Sequence, residues 1–104
     1  MEIEDKILAL VSQIPLGKVS TYGAIANKIG LKSSARFVGW VLRHNGGDLS
    51  IPFHRVLNRN GELTGKQHFP TPTLMKELLE AEGIEFKGER VDMKKHFWEF
   101  EDNE

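Results

Sequence analysis

The 104-residue sequence contains no cysteine. Without a thiol the chain forms no disulfide, no thiolate metal site and no covalent intermediate on cysteine. Long apolar runs are also absent, and none approaches the roughly 20 residues needed to cross a bilayer. Residues 1–5 are acidic, unlike the start of a signal peptide. We therefore expect one soluble domain over residues 1–104, located in the cytoplasm and without a membrane partner.

Patterns typical of catalytic and metal sites are scarce as well. The four histidines, at positions 44, 54, 68 and 96, show no metal-ligand spacing, and there is no glycine-rich phosphate loop. His54 could act as the base of a hydrolase, but its neighbour Phe53 has no atom able to attack a substrate. We expect no metal, no cofactor and no catalytic residue. A hydrolase that uses His54 is the least favoured alternative.

Charge is distributed unevenly along the chain, although the net charge is only −1. Residues 1–13 carry a net charge of −2, residues 14–68 a net charge of +6 and residues 69–104 a net charge of −5. A basic middle between acidic ends gives the molecule one face suited to phosphates, as in nucleic-acid-binding proteins. The alternative is chance sampling in a short chain.

Hydrophobic periodicity predicts an N-terminal helix over residues 3–14, which Pro15 and Gly17 end. Two further short helices are predicted over about residues 22–29 and 35–44. Their boundaries rest on Ser20 or Thr21 as the first cap, Gly30 after the first helix, and Ser33-Ser34 before the second. Two short helices joined by a tight turn form a helix-turn-helix. The apolar positions of the N-terminal helix are Ile3, Ile7, Leu10, Val11 and Ile14.

The helix over residues 35–44 has two distinct sides. Its buried side is predicted to contain Ala35, Val38, Val41 and Leu42. Its opposite side contains Arg36, Gly39, Trp40 and Arg43, which follow helical spacing. Cations that point outward are typical of a recognition helix. Gly39 costs the helix about 1 kcal/mol relative to alanine, so close approach of DNA or of another helix should offset it.

Residues 51–57 form the next distinctive stretch. Pro52 fixes its own backbone and keeps Ile51 extended, and an aromatic, an imidazole and a guanidinium follow at Phe53, His54 and Arg55. Taken alone, these residues are explained most simply as a buried phenylalanine, a structural histidine and a surface arginine.

The remaining sequence predicts one more helix and a small hairpin. A turn is predicted at residues 58–61, irregular structure at 64–70, and a helix over about residues 72–82 that Gly83 ends. A hairpin is expected around Lys87-Gly88, followed by an apolar tail that packs on the core, and the last four residues are expected to fray. The inward residues are Leu74, Met75, Leu78 and Leu79 in the helix and Phe97, Trp98 and Phe100 in the tail. The predicted fold is mainly α, a winged-helix-like DNA-binding domain with a helix-turn-helix and short β-hairpin pieces.

Two residues of the helix-turn-helix are candidates for DNA contacts. Tyr22 begins its first helix, where free backbone N–H groups favour a phosphate. A half-buried aromatic is the alternative for Tyr22. Arg36 begins the second helix and could contact a base or fill a gap in the duplex, while a solvated arginine is the alternative.

Five segments together resemble a known family: Ile14–Ala26 (IPLGKVSTYGAIA), Ala35–Gly39 (ARFVG), His44-Asn45, Pro52–Val56 (PFHRV) and Leu78–Gly83 (LLEAEG). Over roughly residues 10–85 they resemble, in order, the C-terminal domain of O6-alkylguanine-DNA alkyltransferases. That family has the active-site signature Pro-Cys-His-Arg-Val, and Phe53 stands at the position of its alkyl-accepting cysteine. The chain is thus similar to the alkyltransferase-like proteins, which keep the lesion-binding site without the acceptor and usually carry tryptophan at this position.

The resemblance implies roles for the matching residues on the DNA side. Tyr22 would press on the phosphate of the target nucleotide and rotate it out of the duplex. Arg36 would take the vacated place. Asn45 would join the active-site loop to the helix-turn-helix.

Further roles are implied on the lesion side. His54 and Glu82 match a relay that activates the cysteine in the enzymes, and without a thiol we expect them to be structural here. Lys66 lies near the position where lesion-binding relatives have a basic residue that reaches the flipped base. Lysine lacks the planar fork of arginine, so this exchange is not neutral.

The expected function is therefore non-enzymatic recognition of O6-alkylguanine in duplex DNA by nucleotide flipping. The resemblance implies a reversible complex of a monomer with damaged DNA, which passes the lesion to nucleotide excision repair proteins. The predicted DNA contacts are Tyr22, Arg36, Gly39, Trp40 and Arg43. The predicted lesion pocket comprises Asn45, Phe53, His54, Arg55, Lys66 and Glu82. The main alternative is a small helix-turn-helix transcriptional regulator that reads undamaged DNA through Arg36, Trp40 and Arg43.

Overall fold

A computed structural model describes residues 2–31, 34–48 and 50–100 of the chain. The predictions for Ser33 as a capping residue and for the last four residues lie outside these ranges. Helices make up most of the regular structure in the described residues: α1 (Ile3–Gln13), α2 (Tyr22–Lys28), α3 (Ala35–His44), α4 (Leu74–Ala81) and α5 (Met93–His96). The strands are β1 (Ser20–Thr21), β2 (Val56–Leu57), β3 (Phe86–Lys87) and β4 (Arg90–Val91). The fold is mainly helical, as predicted, and no helix in these ranges is long and apolar enough to cross a membrane.

Helix α1 ends where the sequence predicts. Pro15 disfavours a helical conformation at the preceding residue, and Ile14 is accordingly extended, with φ −65° and ψ 117°. Ile7, Val11 and Ile14 are fully buried, but Ile3 is 38% exposed. The apolar side of α1 is therefore buried from Ile7 onward, whereas its first turn reaches solvent at Ile3.

Local hydrogen bonds explain the boundaries of α2. The hydroxyl of Thr21 accepts a 3.0 Å hydrogen bond from the backbone N–H of Ala24, so Thr21 is the cap and Ser20 is not. Gly30 adopts a φ of 82°, which a glycine reaches without strain. The next N–H group, of Leu31, then donates to the carbonyl of Ala26 at 2.8 Å and closes the C-terminus of the helix. At the start of α3, Ser34 occupies the cap position but its side chain makes no capping bond, contrary to the prediction.

The strands form two small sheets. β1 pairs with β2 in parallel, with Ser20 opposite Val56 and Thr21 opposite Leu57. β3 and β4 form the predicted antiparallel hairpin, turning at Gly88. After it, the N–H of Trp98 donates to the carbonyl of Val19 at 2.8 Å, and the aromatic tail packs on the core as predicted.

Three features of the C-terminal half differ from the prediction. Helix α4 begins at Leu74 rather than at Pro72, with Thr73 as its cap residue. Residues 66–68 form one turn of 3₁₀-helix inside the stretch predicted to be irregular. The four-residue helix α5 was not predicted, because its lysines give no apolar periodicity.

Strand β2 separates two parts of the hydrophobic core. Val56 packs with α1, α2 and α3, whereas Leu57 packs with Val19, α4 and the hairpin residue Val91. Successive residues of a strand point to opposite faces, so one dipeptide anchors both clusters. The stretch Phe53–Arg55 comes immediately before this dipeptide and is therefore held at the junction between the two clusters.

Candidate nucleic-acid interface

The outer side of α3 is available for contacts along its length. Arg36 and Arg43 are exposed and Trp40 is 42% exposed, whereas Val38 and Val41 on the other side are fully buried. These orientations follow the predicted helical spacing. Ala35, which was predicted to be buried, is half-buried at the first turn. The structure thus presents both arginines and the indole of α3 to solvent.

Tyr22, at the start of α2, lies against this side of α3. A Cβ atom built on Gly39 would be 3.8 Å from the Tyr22 atoms Cδ1 and Cε1 and 3.8 Å from Arg43 Nη1. Helix packing therefore does not explain the glycine, because a methyl group there would make only ordinary contacts. The structure brings Tyr22, Gly39 and Arg43 into one cluster.

The segment around Lys66 approaches the same tyrosine. A Cβ atom on Gly65 would be only 3.2 Å from the Tyr22 hydroxyl oxygen, so the chain passes close to the phenol here. Lys66 follows directly and is exposed at the start of the 3₁₀ turn over residues 66–68. Sequence patterns do not point to Gly65, since its partner lies 43 positions earlier in the chain.

Phe53, His54 and Arg55 form a single turn of 3₁₀-helix. The N–H of Phe53 donates to the carbonyl of Ile51 at 2.8 Å, and the N–H of Arg55 donates to the carbonyl of Pro52 at 3.0 Å. Phe53 is half-buried and packs against the cluster formed by α1, α2 and α3. The turn therefore fixes the ring of Phe53 at the edge of the core.

Glu82, just beyond α4, joins the two polar residues of this turn. Its Oε2 atom lies 2.7 Å from His54 Nε2 and accepts a 2.8 Å bond from Arg55 Nη2. Its Oε1 atom accepts a 2.9 Å bond from Arg55 Nε. The remaining terminal nitrogen of Arg55, Nη1, donates to the carbonyl of Ile14 at 2.8 Å. Arg55 thus ties the turn to both α4 and the end of α1.

The electrostatics of Glu82 follow from this geometry. Burial raises the pKa of Glu82, but the hydrogen bonds from Arg55 and His54 lower it by more, so the pKa lies below its ordinary value. The side chain of Glu82 is 13% exposed and those of His54 and Arg55 are each 15% exposed. The cluster is therefore a nearly buried ionic network that supports the Phe53 turn.

Asn45 links α3 to the segment that leads toward Pro52. Its side-chain Nδ2 donates to the carbonyl of Val41 at 2.7 Å, which fixes it to the last turn of α3. The backbone carbonyl of Asn45 accepts from Asp48 N–H, and the carbonyl of Asp48 accepts from Ile51 N–H, both at 3.2 Å. The connection from Asn45 to the Phe53 turn therefore passes through successive backbone bonds.

An aromatic row on α3 was not predicted as a unit. The Trp40 ring stacks on His44, with centroids 4.0 Å apart, and lies nearly parallel to Phe37, with centroids 6.1 Å apart. Their spacing of three and four residues along the helix could have indicated this arrangement. A shallow groove beside the row is lined by Ser34, Arg36, Phe37, Trp40 and Arg43. No cluster of three or more potential metal ligands occurs among residues 2–31, 34–48 and 50–100.

Comparison with protein families gives a match over residues 2–84. The matching model is described as the 6-O-methylguanine DNA methyltransferase, DNA-binding domain. The chain belongs to this family. The matched residues include the helix-turn-helix, the Phe53 turn and Glu82, so they span the whole candidate interface.

Two members of the family are similar to this chain over most of their length. Alkyltransferase-like protein 1 of Schizosaccharomyces pombe is 39% identical over 84 residues, which are 81% of this chain and 78% of that protein. The DNA base-flipping protein of Escherichia coli is 36% identical, with 96% of this chain and 80% of that protein covered.

Solved structures agree with these relationships. The structure of S. pombe Atl1 in complex with damaged DNA containing O6-carboxymethylguanine matches this chain with a TM-score of 0.80 and 32% sequence identity. The match covers 95% of this chain and 99% of the Atl1 chain. Mycobacterium tuberculosis OGT, in complex with DNA, has a TM-score of 0.66 and 32% identity, covering 79% of this chain and 50% of its own. The fold described above is thus shared by alkyltransferase-like and methyltransferase members of the family.

Proposed function

We propose that the protein recognises O6-alkylguanine in duplex DNA by nucleotide flipping and does not transfer the alkyl group. The observation that carries the proposal is the junction at Phe53. In a chain without cysteine, a half-buried aromatic ring occupies the turn that His54, Arg55 and Glu82 support. The similarity to proteins named for base flipping, and to one bound to O6-carboxymethylguanine DNA, supports the same reading.

On the DNA side, α3 is the proposed recognition helix. Arg36 at its exposed start would enter the space left by the flipped nucleotide, and Arg43 would pair with a phosphate. The Tyr22 ring lies beside α3 near Gly39, and this position supports a phosphate role for the tyrosine. Gly39 would let the DNA approach the helix backbone closely.

On the lesion side, Phe53 would offer its ring to the flipped base. Stacking of a base on an aromatic side chain contributes roughly 1–3 kcal/mol. Gly65 lies close to the Tyr22 hydroxyl, and the exposed Lys66 is the next residue. This position supports a contact between Lys66 and the flipped base, because Tyr22 is the residue that would act on the target nucleotide. Phenylalanine offers less stacking surface than tryptophan, and lysine lacks the planar fork of arginine, so each should contribute less to the affinity than those residues would.

The energetics of flipping favour a damaged base. Extrusion costs a few kcal/mol in normal duplex DNA and less where alkylation has weakened the pair. The basic residues 14–68, with a net charge of +6, would supply the salt-dependent part of the affinity for any DNA. The discrimination between damaged and undamaged DNA would then come from the flipped state.

The absence of a covalent step defines the proposed biological role. A reversible complex shields the lesion without repairing it, so another system must remove it. We propose that the monomeric protein acts in the cytoplasm and flags the lesion for nucleotide excision repair proteins. The identity of those partners would follow from affinity capture on lesion-containing DNA, with undamaged DNA as the control.

A transcriptional regulator is the second candidate. The exposed row of Arg36, Trp40 and Arg43 along α3 favours it, because such a row can also read base edges in undamaged DNA. Selection from random duplexes separates the two functions. A regulator would enrich a defined sequence, whereas a lesion binder would enrich none.

Nucleotide flipping can be tested with 2-aminopurine placed next to O6-methylguanine in a short duplex. Its emission is quenched by stacking, so flipping of the neighbouring lesion should raise it when saturating protein is added. The same probe next to an unmodified guanine is the control and should change little. Saturated binding to the lesion duplex without a rise in emission would contradict the proposed function.

A further inference from the structure

The aromatic row on α3 presents a large apolar surface to solvent at the proposed DNA interface. Trp40 is 42% exposed and is one of only three large apolar side chains that are exposed in the described residues. His44 stacks on its ring at 4.0 Å and is itself held by a 2.8 Å contact between its Nδ1 and the carbonyl of Trp40. The imidazole therefore braces the indole in one orientation.

The Trp40 indole also borders an open groove on the surface of α3. Phe37, whose ring is tilted by only 9° from that of Trp40, lines this groove together with Arg36 and Arg43. His44 is not part of the lining, so the aromatic wall of the groove is formed by Phe37 and Trp40. The groove thus combines a fixed aromatic surface with two guanidinium groups.

This combination matches the chemistry of a nucleotide. A nucleobase stacks on an aromatic side chain whatever its sequence, and a guanidinium group such as that of Arg43 binds an adjacent phosphate through charge-assisted hydrogen bonds. An acidic peptide would satisfy the arginines but would leave the flat aromatic surface without a partner. The occupant that satisfies both features is an unstacked nucleotide.

The position of Arg36 indicates which nucleotide this is. Arg36 lines the groove and is also the residue proposed to enter the space left by the flipped nucleotide. The base that faces that space has lost its pairing partner, so it leaves the stack at a lower cost than a paired base does. Trp40 follows on the same side of α3, one turn or about 6 Å further along the axis. We infer that Trp40 stacks on the orphaned base opposite the flipped lesion. The protein would then contact bases on both strands of the duplex. This inference rests on the proposed function.

The inference can be tested with two duplexes that differ only opposite the lesion. In one, O6-methylguanine faces cytosine; in the other, it faces a tetrahydrofuran abasic analogue, which has no base to stack. Trp40→Leu keeps an apolar side chain without an aromatic face, and Trp40→Phe restores a smaller one. On the cytosine duplex Trp40→Leu should raise Kd by about 5- to 150-fold, the range expected for one stacked base. Trp40→Phe should recover part of this loss.

On the abasic duplex the leucine variant should bind within about twofold of the wild type, because the orphaned base is missing. An equal loss on both duplexes would overturn the inference and assign Trp40 to a backbone contact. Unchanged binding of Trp40→Leu to the cytosine duplex would overturn it as well. If the wild-type protein shows no preference for O6-methylguanine over guanine, the proposed function fails and the inference fails with it. Circular dichroism of each variant confirms that α3 is intact.

Discussion

The imidazole of His54 lies 2.7 Å from the carboxylate of Glu82, in a chain that has no thiol for the pair to activate. The same carboxylate binds the guanidinium of Arg55 through two bonds. Glu82 therefore attaches both polar residues of the Phe53 turn to the end of α4. The contact between His54 and Glu82 therefore has a structural role, which does not require catalysis.

Substitution of Glu82 should destabilise the protein strongly. Glu82→Gln removes the charge that compensates Arg55 in a nearly buried site, so the free energy of unfolding should fall by about 2–3 kcal/mol. Urea unfolding followed by circular dichroism measures this change. Glu80→Gln, at an exposed position of α4, is the matched control and should stay within about 0.5 kcal/mol of the wild type. Equal stability of the two variants would show that the network contributes little.

The same carboxylate should make stability depend on pH. Burial raises the pKa of Glu82, but the bonds from Arg55 and His54 outweigh it and hold the pKa below the ordinary value of 4.5. The folded state then binds the proton less tightly than the unfolded state, so this stabilisation is present above about pH 4.5 and is lost as the pH falls through the folded-state pKa. The difference in unfolding free energy between wild type and Glu82→Gln should shrink between about pH 5 and about pH 3. A constant difference over that interval would contradict the assignment.

Arg36 should matter for DNA binding and not for folding. Its side chain is exposed at the start of α3, so Arg36→Ala should change the free energy of unfolding by less than about 0.5 kcal/mol. Its Kd for a lesion duplex should rise at least about tenfold, because the space left by the flipped base would stay empty. Lys94→Ala, which removes one exposed positive charge from α5, is the charge-matched control. Loss of the fold in Arg36→Ala, or equal binding by both variants, would show that Arg36 is not the residue that enters the duplex.

Gly39 offers a test in which stability and binding change in opposite directions. A methyl group there would make only contacts of 3.8 Å, so Gly39→Ala should stabilise α3 by up to about 1 kcal/mol. The same methyl group would stand between the helix backbone and the DNA, and the affinity for DNA should fall. Thermal unfolding and fluorescence anisotropy measure the two effects. Ser12→Ala, at an exposed site of α1, is the control: it raises helix propensity away from α3 and removes only the exposed bond from the Ser12 hydroxyl to the Leu8 carbonyl. If Gly39→Ala binds DNA as well as the wild type, the proposal that DNA approaches the helix backbone closely at this glycine is wrong.

The helices were the most predictable part of the structure. Periodicity placed α1 and α3 within one residue of their observed ends, because apolar spacing records which side of a helix is buried. Glycine signals were equally reliable, since Gly30 and Gly83 adopt the positive φ that ends α2 and α4. Local physics alone determines these features.

Features that depend on distant partners were less predictable. Ser20 and Thr21 both carry a capping hydroxyl and both pair with β2, which begins 36 residues after Ser20, but only Thr21 caps α2. The bond from Arg55 to the carbonyl of Ile14 spans 41 residues and has no sequence signature. The contact between His54 and Glu82 was anticipated only from the family resemblance, because residue spacing cannot bring a loop and a helix end together.

The central claim is that this fold binds an O6-alkylguanine nucleotide in preference to guanine. Fluorescence anisotropy with two labelled duplexes that differ only by the methyl group on one guanine measures this preference directly, at one salt concentration. The proposed function predicts a Kd at least about tenfold lower for the lesion duplex, because flipping an alkylated guanine costs less free energy and the flipped base stacks on Phe53. Mass spectrometry of the recovered DNA should show the methyl group still in place. Equal affinity for the two duplexes would contradict the claim.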